Sequence, residues 1–346
     1  MLKVTMAGSG YDMGRAHGRA CKDQIITAHK ELCRFDGLSE TTRRRCIDLY
    51  VERLEMAFPD LVEEMRGIAE ETDLELNQVI ELTLWEEIKS YSGDFKVAGA
   101  CTSVAFTRTL DGLIIGKTTD IETFQRPYYI LQSIQPTKGY KLLSVGKVGS
   151  TKTEIGINEK GLCVATGSAL PLDKGHPGIE RMTLVRAVLQ YCSDVDEAIA
   201  MLSSHSFIRL GLYLLLADRT GKVCVIEKSI SHQGIRLPDQ RGIIFATNFY
   251  VLPSMAPFMD KSAFYYQNAL ERYINLTVLV ESGLPKQGVK GMMNLLRNHN
   301  PIGPICAHFE ELGMCSYYAY IVLPEELRLL LSDGNPCQSE FCEFRI

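Results

Sequence analysis

The sequence predicts an α+β fold in which two stacked sheets are covered by helices. Two observations carry that expectation. Apolar residues recur at helical spacing through the first hundred positions, and from Cys101 onward the pattern changes to short strand-like runs. The order after Cys101 is strand-rich, helix, strand-rich, helix, strand-rich, which two sheets with helical covers satisfy.

In the opening block the apolar positions are Ile25, Ile26 and Leu32, then Ile47, Val51, Leu54 and Met56, then Leu61, Met65 and Ile68, and then Leu76, Val79, Ile80, Leu84 and Ile88. Pro59 stands where a first helical turn accepts it. The basic run Arg43-Arg44-Arg45 reads as a solvated helix face. Strands are expected at 103–106, 113–115, 128–131, 142–145 and 162–165, separated by Asp-Gly, Lys-Gly and Glu-Lys-Gly turns. A single helix is expected over 183–202. Strands return at 212–217, 223–227 and 243–247, with Asp218-Arg219-Thr220-Gly221 as a hairpin turn. Helices over 263–280 and 289–296 precede two last strands, 316–323 and 327–332, around Pro324-Glu325-Glu326. With no internal repeat, low-complexity tract or linker, the chain reads as one structural domain.

Composition sets outer bounds. The 346 residues hold ample apolar content for a globular core, and the net charge of -5 argues against a nucleic-acid partner. No apolar run is long enough to span a bilayer, and the opening six residues turn polar too quickly for a signal peptide. Eleven cysteines without paired spacing fit a reducing compartment, so a cytoplasmic protein without membrane attachment is expected. The terminal Phe344-Arg345-Ile346 is not a peroxisomal tripeptide.

The most informative stretch is Ala100-Cys101-Thr102-Ser103. Cys101-Thr102-Ser103-Val104-Ala105-Phe106, the turn Leu110-Asp111-Gly112 and the strand ending at Asp120 resemble the nucleophile region of the acyl-coenzyme A:isopenicillin N acyltransferase family. Further matching pieces are Gly10-Tyr11-Asp12-Met13-Gly14-Arg15-Ala16-His17-Gly18, Gly156-Ile157-Asn158-Glu159-Lys160-Gly161-Leu162, Thr247-Asn248 and Gly334-Asn335-Pro336. Their order and spacing span nearly the whole chain. The resemblance implies a four-layer αββα N-terminal-nucleophile (Ntn) hydrolase fold. It also implies self-cleavage between Ala100 and Cys101, dividing a helical pro-segment or small subunit, 1–100, from a catalytic portion, 101–346. The pro-segment is expected to stay bound, because its apolar stripes need a partner surface.

Cleavage before Cys101 would give one residue both a thiol nucleophile and an α-amine base, and an α-amine titrates at about 7.7 to 8.0. Without the resemblance, a small buried hydrophobe is the ordinary reading of a free cysteine. By the resemblance Asp120 holds the α-amine and nucleophile, and Asn248 is the side-chain donor to the oxyanion. Lys117 and Thr118 replace an expected Gln-Asn pair and are candidate pocket residues. An arginine falls near Lys117 in related bile-salt hydrolases, so a contact with a substrate carboxylate, support for Asp120 and a solvated lysine all stay open. Asn158 aligns with a second asparagine of those relatives, or is a turn residue, and His308 in Ile305-Cys306-Ala307-His308 is expected near the pocket.

His17, His29, His176, His205, His232, His299 and His308 carry no papain-like signature. Cys306, His308 and Cys315 form an incomplete ligand set, so no metal and no other cofactor is expected. Gly8-Ser9-Gly10 lacks the Lys-Ser/Thr of a phosphate loop. The implied activity is hydrolysis of a small N-acyl or aminoacyl amide through a Cys101 thioester. Two alternatives stay open: an acyl-coenzyme A-dependent N-acyltransferase, and an uncleaved non-enzymatic paralogue, to which Ala100 in place of the usual glycine lends support. The cations Lys117, Lys147, Lys152 and Arg181 look scattered in sequence, which favours hydrolysis over coenzyme A binding, and a homo-oligomer stays open.

Overall fold

The computed structural model describes residues 1–92, 99–173, 178–262, 264–309 and 313–346; His176 lies outside them. The first element corrects the expectation of an all-helical opening. Leu2–Gly8 is a strand, β1, with Val4 and Met6 turned inward and their neighbours outward. It pairs in parallel with β4, Tyr129–Pro136, from Leu2 opposite Ile130 to Gly8 opposite Pro136. The alternation is short, and its partner lies more than a hundred residues away, so no local turn announces it.

Helix α1, Gly10–Leu32, begins in a capping box: the Ser9 hydroxyl accepts from the Asp12 amide and the Asp12 carboxylate from that of Ser9, both at 3.2 Å. The glycines of the opening motif have a packing purpose. A Cβ at Gly10 would lie 2.0 Å from the carbonyl oxygen of Asp60, and one at Gly14 1.9 Å from that of Glu64. Both oxygens belong to α3, Pro59–Thr72, which starts on the expected proline. The motif is therefore a close helix crossing. His17, on the same stretch, is fully buried and accepts from the Gly149 amide at 3.2 Å. Burial pushes its pKa down to about 4, keeping the ring neutral. Helices α2, Glu40–Ala57, and α4, Leu76–Lys89, complete the opening block.

The remaining strands build two sheets. The eight-stranded sheet runs β1-β4-β5-β6-β7-β8-β9-β10, where β5 is Leu142–Lys147, β6 Thr153–Asn158, β7 Cys163–Ala169, β8 Gly211–Ala217, β9 Val223–Lys228 and β10 Gln233–Arg236. The other runs β11-β2-β3-β13-β14-β15: Ile243–Ala246, Thr102–Thr109, Gly112–Glu122, Met314–Leu323, Arg328–Asp333 and Phe341–Arg345, with β12, His308–Phe309, beside β13. The expected single helix over 183–202 is two: α5, Arg181–Tyr191, and α6, Val195–Ser204. Asp194 separates them by capping the amides of Asp196 and Glu197.

Three apolar layers hold four structural layers together. Helices α1–α6 pack on the outer face of the eight-stranded sheet through residues such as Ile68, Leu84, Leu189 and Leu214. Between the sheets lie Ala105, Ile115, Leu131, Val145, Leu215 and Val322. On the far face, Val104, Ile114 and Ile321 meet Leu276 of α7, Phe264–Glu281, and Met292 and Leu295 of α8, Gly288–Leu296. The order is αββα.

Candidate active site

Cys101 enters β2 from the buried pair Gly99-Ala100. The β2–β3 hairpin sets Thr102 opposite Thr118 and Ser103 opposite Lys117, so the next step of the register brings Cys101 beside Thr119 and Asp120. Cys101 and Asp120 line one cavity of about 30 Å³, with Gly99, Thr166 and Ser168 also on its wall. That volume holds one or two waters.

Asp120 is fully buried. Its Oδ1 accepts from the Ser316 hydroxyl, while its Oδ2 has no hydrogen-bond partner among the described residues. Burial pushes its pKa up to about 6, against the opposing charge of Arg272, the Ser316 hydrogen bond and Lys117. Asn248, just past β11, spends one N–H on the Ser168 carbonyl at 2.8 Å, and its Oδ1 accepts from Arg272 Nη2 at 2.9 Å. Arg272 also donates through Nη1 to the Cys101 carbonyl at 2.6 Å and the Thr102 hydroxyl at 3.0 Å, and through Nε to Asn268 at 2.8 Å. One planar guanidinium thus fixes the backbone of Cys101 and the amide orientation of Asn248 together. Burial lowers the Arg272 pKa, with Asp120, Tyr213 and Cys101 opposing it.

Another part of the cavity wall is ionic, formed by Glu86, Lys147, Lys152 and Arg181. Arg181 donates to Glu86 Oε2 at 2.5 Å, and Lys147 lies 3.4 Å from Glu86 Oε1 and 2.8 Å from Gln125 Oε1. Lys152 stands 3.6 Å from Glu180, 3.8 Å from Glu87 and 3.9 Å from Glu86. Burial works to raise the Glu86 pKa, but Lys147, Lys152 and Arg181 outweigh it and hold the carboxyl well below the usual range. Burial raises Glu87 to about 7. The cations that looked scattered in sequence do converge, apart from Lys117. They are buried and matched by carboxylates, not presented to a polyphosphate.

Of the candidate pocket residues, Lys117 and Thr118 are buried on β3 beside the site. The Lys117 ammonium donates to the Thr118 carbonyl at 3.2 Å and to the Thr119 hydroxyl, under the Tyr318 ring, so it is not a solvated lysine. Thr118 pairs with Thr102. Asn158 belongs elsewhere, a correction with a clear reason. Its Nδ2 donates to the carbonyls of Leu189 and Cys192 at 2.8 Å, and its Oδ1 accepts from the amides of Lys160 and Leu162 at 3.0 Å. All of its side-chain capacity goes into closing α5 and the β6–β7 turn. His308 is also corrected: it is exposed, beside Cys306 and Cys337, and does not line the Cys101 cavity.

Sequence reading missed Arg272, Glu86 and Glu87. Arg272 shares the buried face of α7 with Ala269 and Leu276, at helical spacing. A charged residue inside an apolar stripe was the available signal. The two glutamates interrupt the stripe of α4 in the same way.

A family model described as acyl-coenzyme A:6-aminopenicillanic acid acyl-transferase matches residues 107–302, more than half of the chain, starting just after Cys101. No curated protein matches the sequence. Similar solved structures include penicillin V acylase from Agrobacterium tumefaciens, at 14% identity over 71% of this chain and 86% of that chain, TM-score 0.48. A mutant of conjugated bile acid hydrolase from Clostridium perfringens is 15% identical over 71% and 97%, TM-score 0.46. The Caenorhabditis elegans ortholog of N-acylethanolamine-hydrolyzing acid amidase is 13% identical over 71% and 100%, TM-score 0.46.

Proposed function

The chain belongs to the acyl-coenzyme A:6-aminopenicillanic acid acyl-transferase family, and from that premise we propose that it is a self-processing Ntn enzyme that hydrolyses a small N-acyl or aminoacyl amide through a thioester on Cys101. The observation that carries this reading is the unpartnered Asp120 Oδ2, buried in the same cavity as Cys101. A buried carboxylate oxygen without a donor is costly, and an N–H of the α-amine that cleavage creates on Cys101 would supply one.

In maturation the Cys101 thiol adds to the Ala100 carbonyl carbon. The peptide C–N bond breaks, the acyl chain passes to sulfur, and the nitrogen takes up the proton lost by the thiol and becomes the new α-amine. Water then cleaves the thioester, leaving an Ala100 carboxylate and a free thiol. In turnover the α-amine takes the thiol proton and sulfur attacks the substrate carbonyl. The second N–H of Asn248 meets the oxyanion, and the ammonium returns its proton to the departing amine. Water, deprotonated by the same amine, releases the acid. Arg272 positions both Cys101 and Asn248. Before the cut the cavity has room for one or two waters only, so a substrate enters once cleavage opens it, and its wall of Lys147, Lys152 and Arg181 with their carboxylates then suits a short polar acyl or aminoacyl group better than a hydrocarbon tail.

Residues 1–100 act as the pro-segment and remain bound after the cut, because β1 is an edge strand of the eight-stranded sheet and α1–α4 share its core. The test offers amides with water alone beside acyl-coenzyme A with amines. Release of free acid without coenzyme A, together with an acyl adduct mapped to Cys101, is expected. Fast transfer to amines with negligible amide hydrolysis would replace the hydrolase with an acyltransferase.

A further inference from the structure

Beyond Ser316 and Ala307, which link to Asp120 by hydrogen bonds, four soft donors from three separate stretches of chain meet at one point. They are His299 in the loop after α8, Cys306 and His308 in the segment leading into β12, and Cys337 in the turn after β14. Their ligand atoms all lie within 4.8 Å of one another. His308 Nε2 is 3.5 Å from Cys306 Sγ and 3.3 Å from Cys337 Sγ. Tetrahedral zinc, with Zn–S of about 2.3 Å and Zn–N of about 2.1 Å, sets neighbouring donors roughly 3.3 to 3.8 Å apart. From this convergence we propose that the chain binds one structural zinc ion through His299, Cys306, His308 and Cys337.

The surroundings are built to hold the donors before the metal arrives. The Asn298 carbonyl accepts from the amides of Ile305 and Cys306, closing the loop that carries His299 round to Cys306. Arg297, at the end of α8, donates to the Pro336 carbonyl at 2.7 Å and so fixes the turn that presents Cys337. The Asn335 side-chain amide lies 3.4 Å from His308 Nδ1, leaving Nε2 to face the sulfurs; with zinc on Nε2 the ring proton sits on Nδ1, and the Asn335 amide turned to present its Oδ1 would accept it. A polar partner on the second imidazole nitrogen is the usual support of a zinc-bound histidine. This gives a purpose to Gly334-Asn335-Pro336, a motif that the Cys101 chemistry leaves unused. Cys315 is opposite His308 in the β12–β13 register and is not one of the converging donors. The ligand set that looked incomplete in sequence is completed by His299 and Cys337, which no local spacing announces.

Binding balances as one Zn²⁺ taken up and two thiol protons released, which leaves a neutral Cys₂His₂ centre. Four protein ligands close the coordination shell, so the ion holds structure and activates no water. Its mechanical link to the active site runs through Ala307, between two of the ligands. Ala307 donates its amide to the Ser316 hydroxyl at 2.8 Å and accepts from the Ser316 amide at 2.9 Å, and that hydroxyl donates to Asp120. The zinc thereby fixes the peptide that aims Ser316 at Asp120.

Elemental analysis of the purified full chain tests the site. About one zinc per chain is expected, falling at least about tenfold in a Cys306→Ser/Cys337→Ser variant. Cobalt(II) added to chelator-stripped wild type should give thiolate-to-cobalt charge-transfer absorption with the intense visible bands of tetrahedral cobalt. That readout does not need the double variant to fold. A substoichiometric metal content with no tetrahedral cobalt spectrum overturns the proposal, as does a Cys306–Cys337 disulfide in the peptide map of protein purified without reductant. Neither measurement depends on turnover, so failure of the Cys101 mechanism would leave this result standing.

Discussion

Two buried polar clusters flank Cys101, and they are joined to the chain in opposite ways. Asp120, Asn248, Arg272 and Ser316 all follow Cys101 in sequence, and hydrogen bonds join Asn248 to Arg272, Arg272 to the Cys101 carbonyl, and Ser316 to Asp120. The ionic cluster crosses the proposed cut: Glu86 and Glu87 precede it, while Lys147, Lys152, Glu180 and Arg181 follow it. Part of it is held only by charge, since Lys152 Nζ and both oxygens of Glu87 lack hydrogen-bond partners among the described residues and interact at longer range. The difference separates two tasks. A cluster made within one piece keeps its geometry through cleavage and suits catalysis; a cluster made across two pieces suits holding them together.

The largest effect expected from breaking this contrast is on stability. Lys152→Met leaves Glu87 and Glu180 buried without their shared cation, and removal of one partner from a buried ion cluster costs about 3 to 5 kcal/mol. Urea unfolding should show that loss. In cleaved protein it should also loosen the two pieces, seen as dissociation on native gel filtration. An unchanged midpoint would remove the ionic cluster from this role.

On the other side, Asn248→Ala should lower kcat by a factor of about 10² to 10³, the loss expected for one oxyanion donor, with little change in KM. A fall within about twofold, far short of a donor's contribution, would assign the oxyanion to other groups.

Asp120 gives a pH signature to the uncut protein. Its folded-state pKa is raised from 3.8 to about 6, so between those values the folded chain holds a proton that the unfolded chain gives up. Stability from this group is therefore greatest below about pH 4 and is lost as pH rises through about 6, by about 3 kcal/mol at most. Cys101→Ala should gain that stability on acidification relative to Cys101→Ala/Asp120→Asn. A flat difference, or one of opposite sign, contradicts the placement of Asp120 in an unpaired buried site.

The smallest effect concerns a residue outside both clusters. Asn158→Ala should lose about 1 to 3 kcal/mol by stranding the backbone groups it serves, while kcat in correctly folded enzyme stays unchanged. A selective loss of turnover would return Asn158 to the pocket.

Local signals explain what the sequence made legible. The Asp111-Gly112 turn, Pro59 at a helix start and the change of period at Cys101 are each written within a few residues. From them follow the β2–β3 hairpin and the neighbourhood of Cys101 and Asp120. What stayed hidden depends on long separations. The parallel pairing of β1, the convergence of Lys147, Lys152 and Arg181 on Glu86, and the reach of Arg272 back to Cys101 are produced by the packing of layers. The break between α5 and α6 is a different miss: the cap at Asp194 was present locally, and an apolar stripe continuing through Ala198 and Leu202 masked it.

Intact-mass measurement of the purified wild-type chain beside Cys101→Ala tests the central claim most directly. Two masses, for residues 1–100 and 101–346, are expected from wild type and a single full-length mass from the variant. An active wild-type protein that runs as one uncut chain, or a variant that is cut at Ala100-Cys101 all the same, would contradict it.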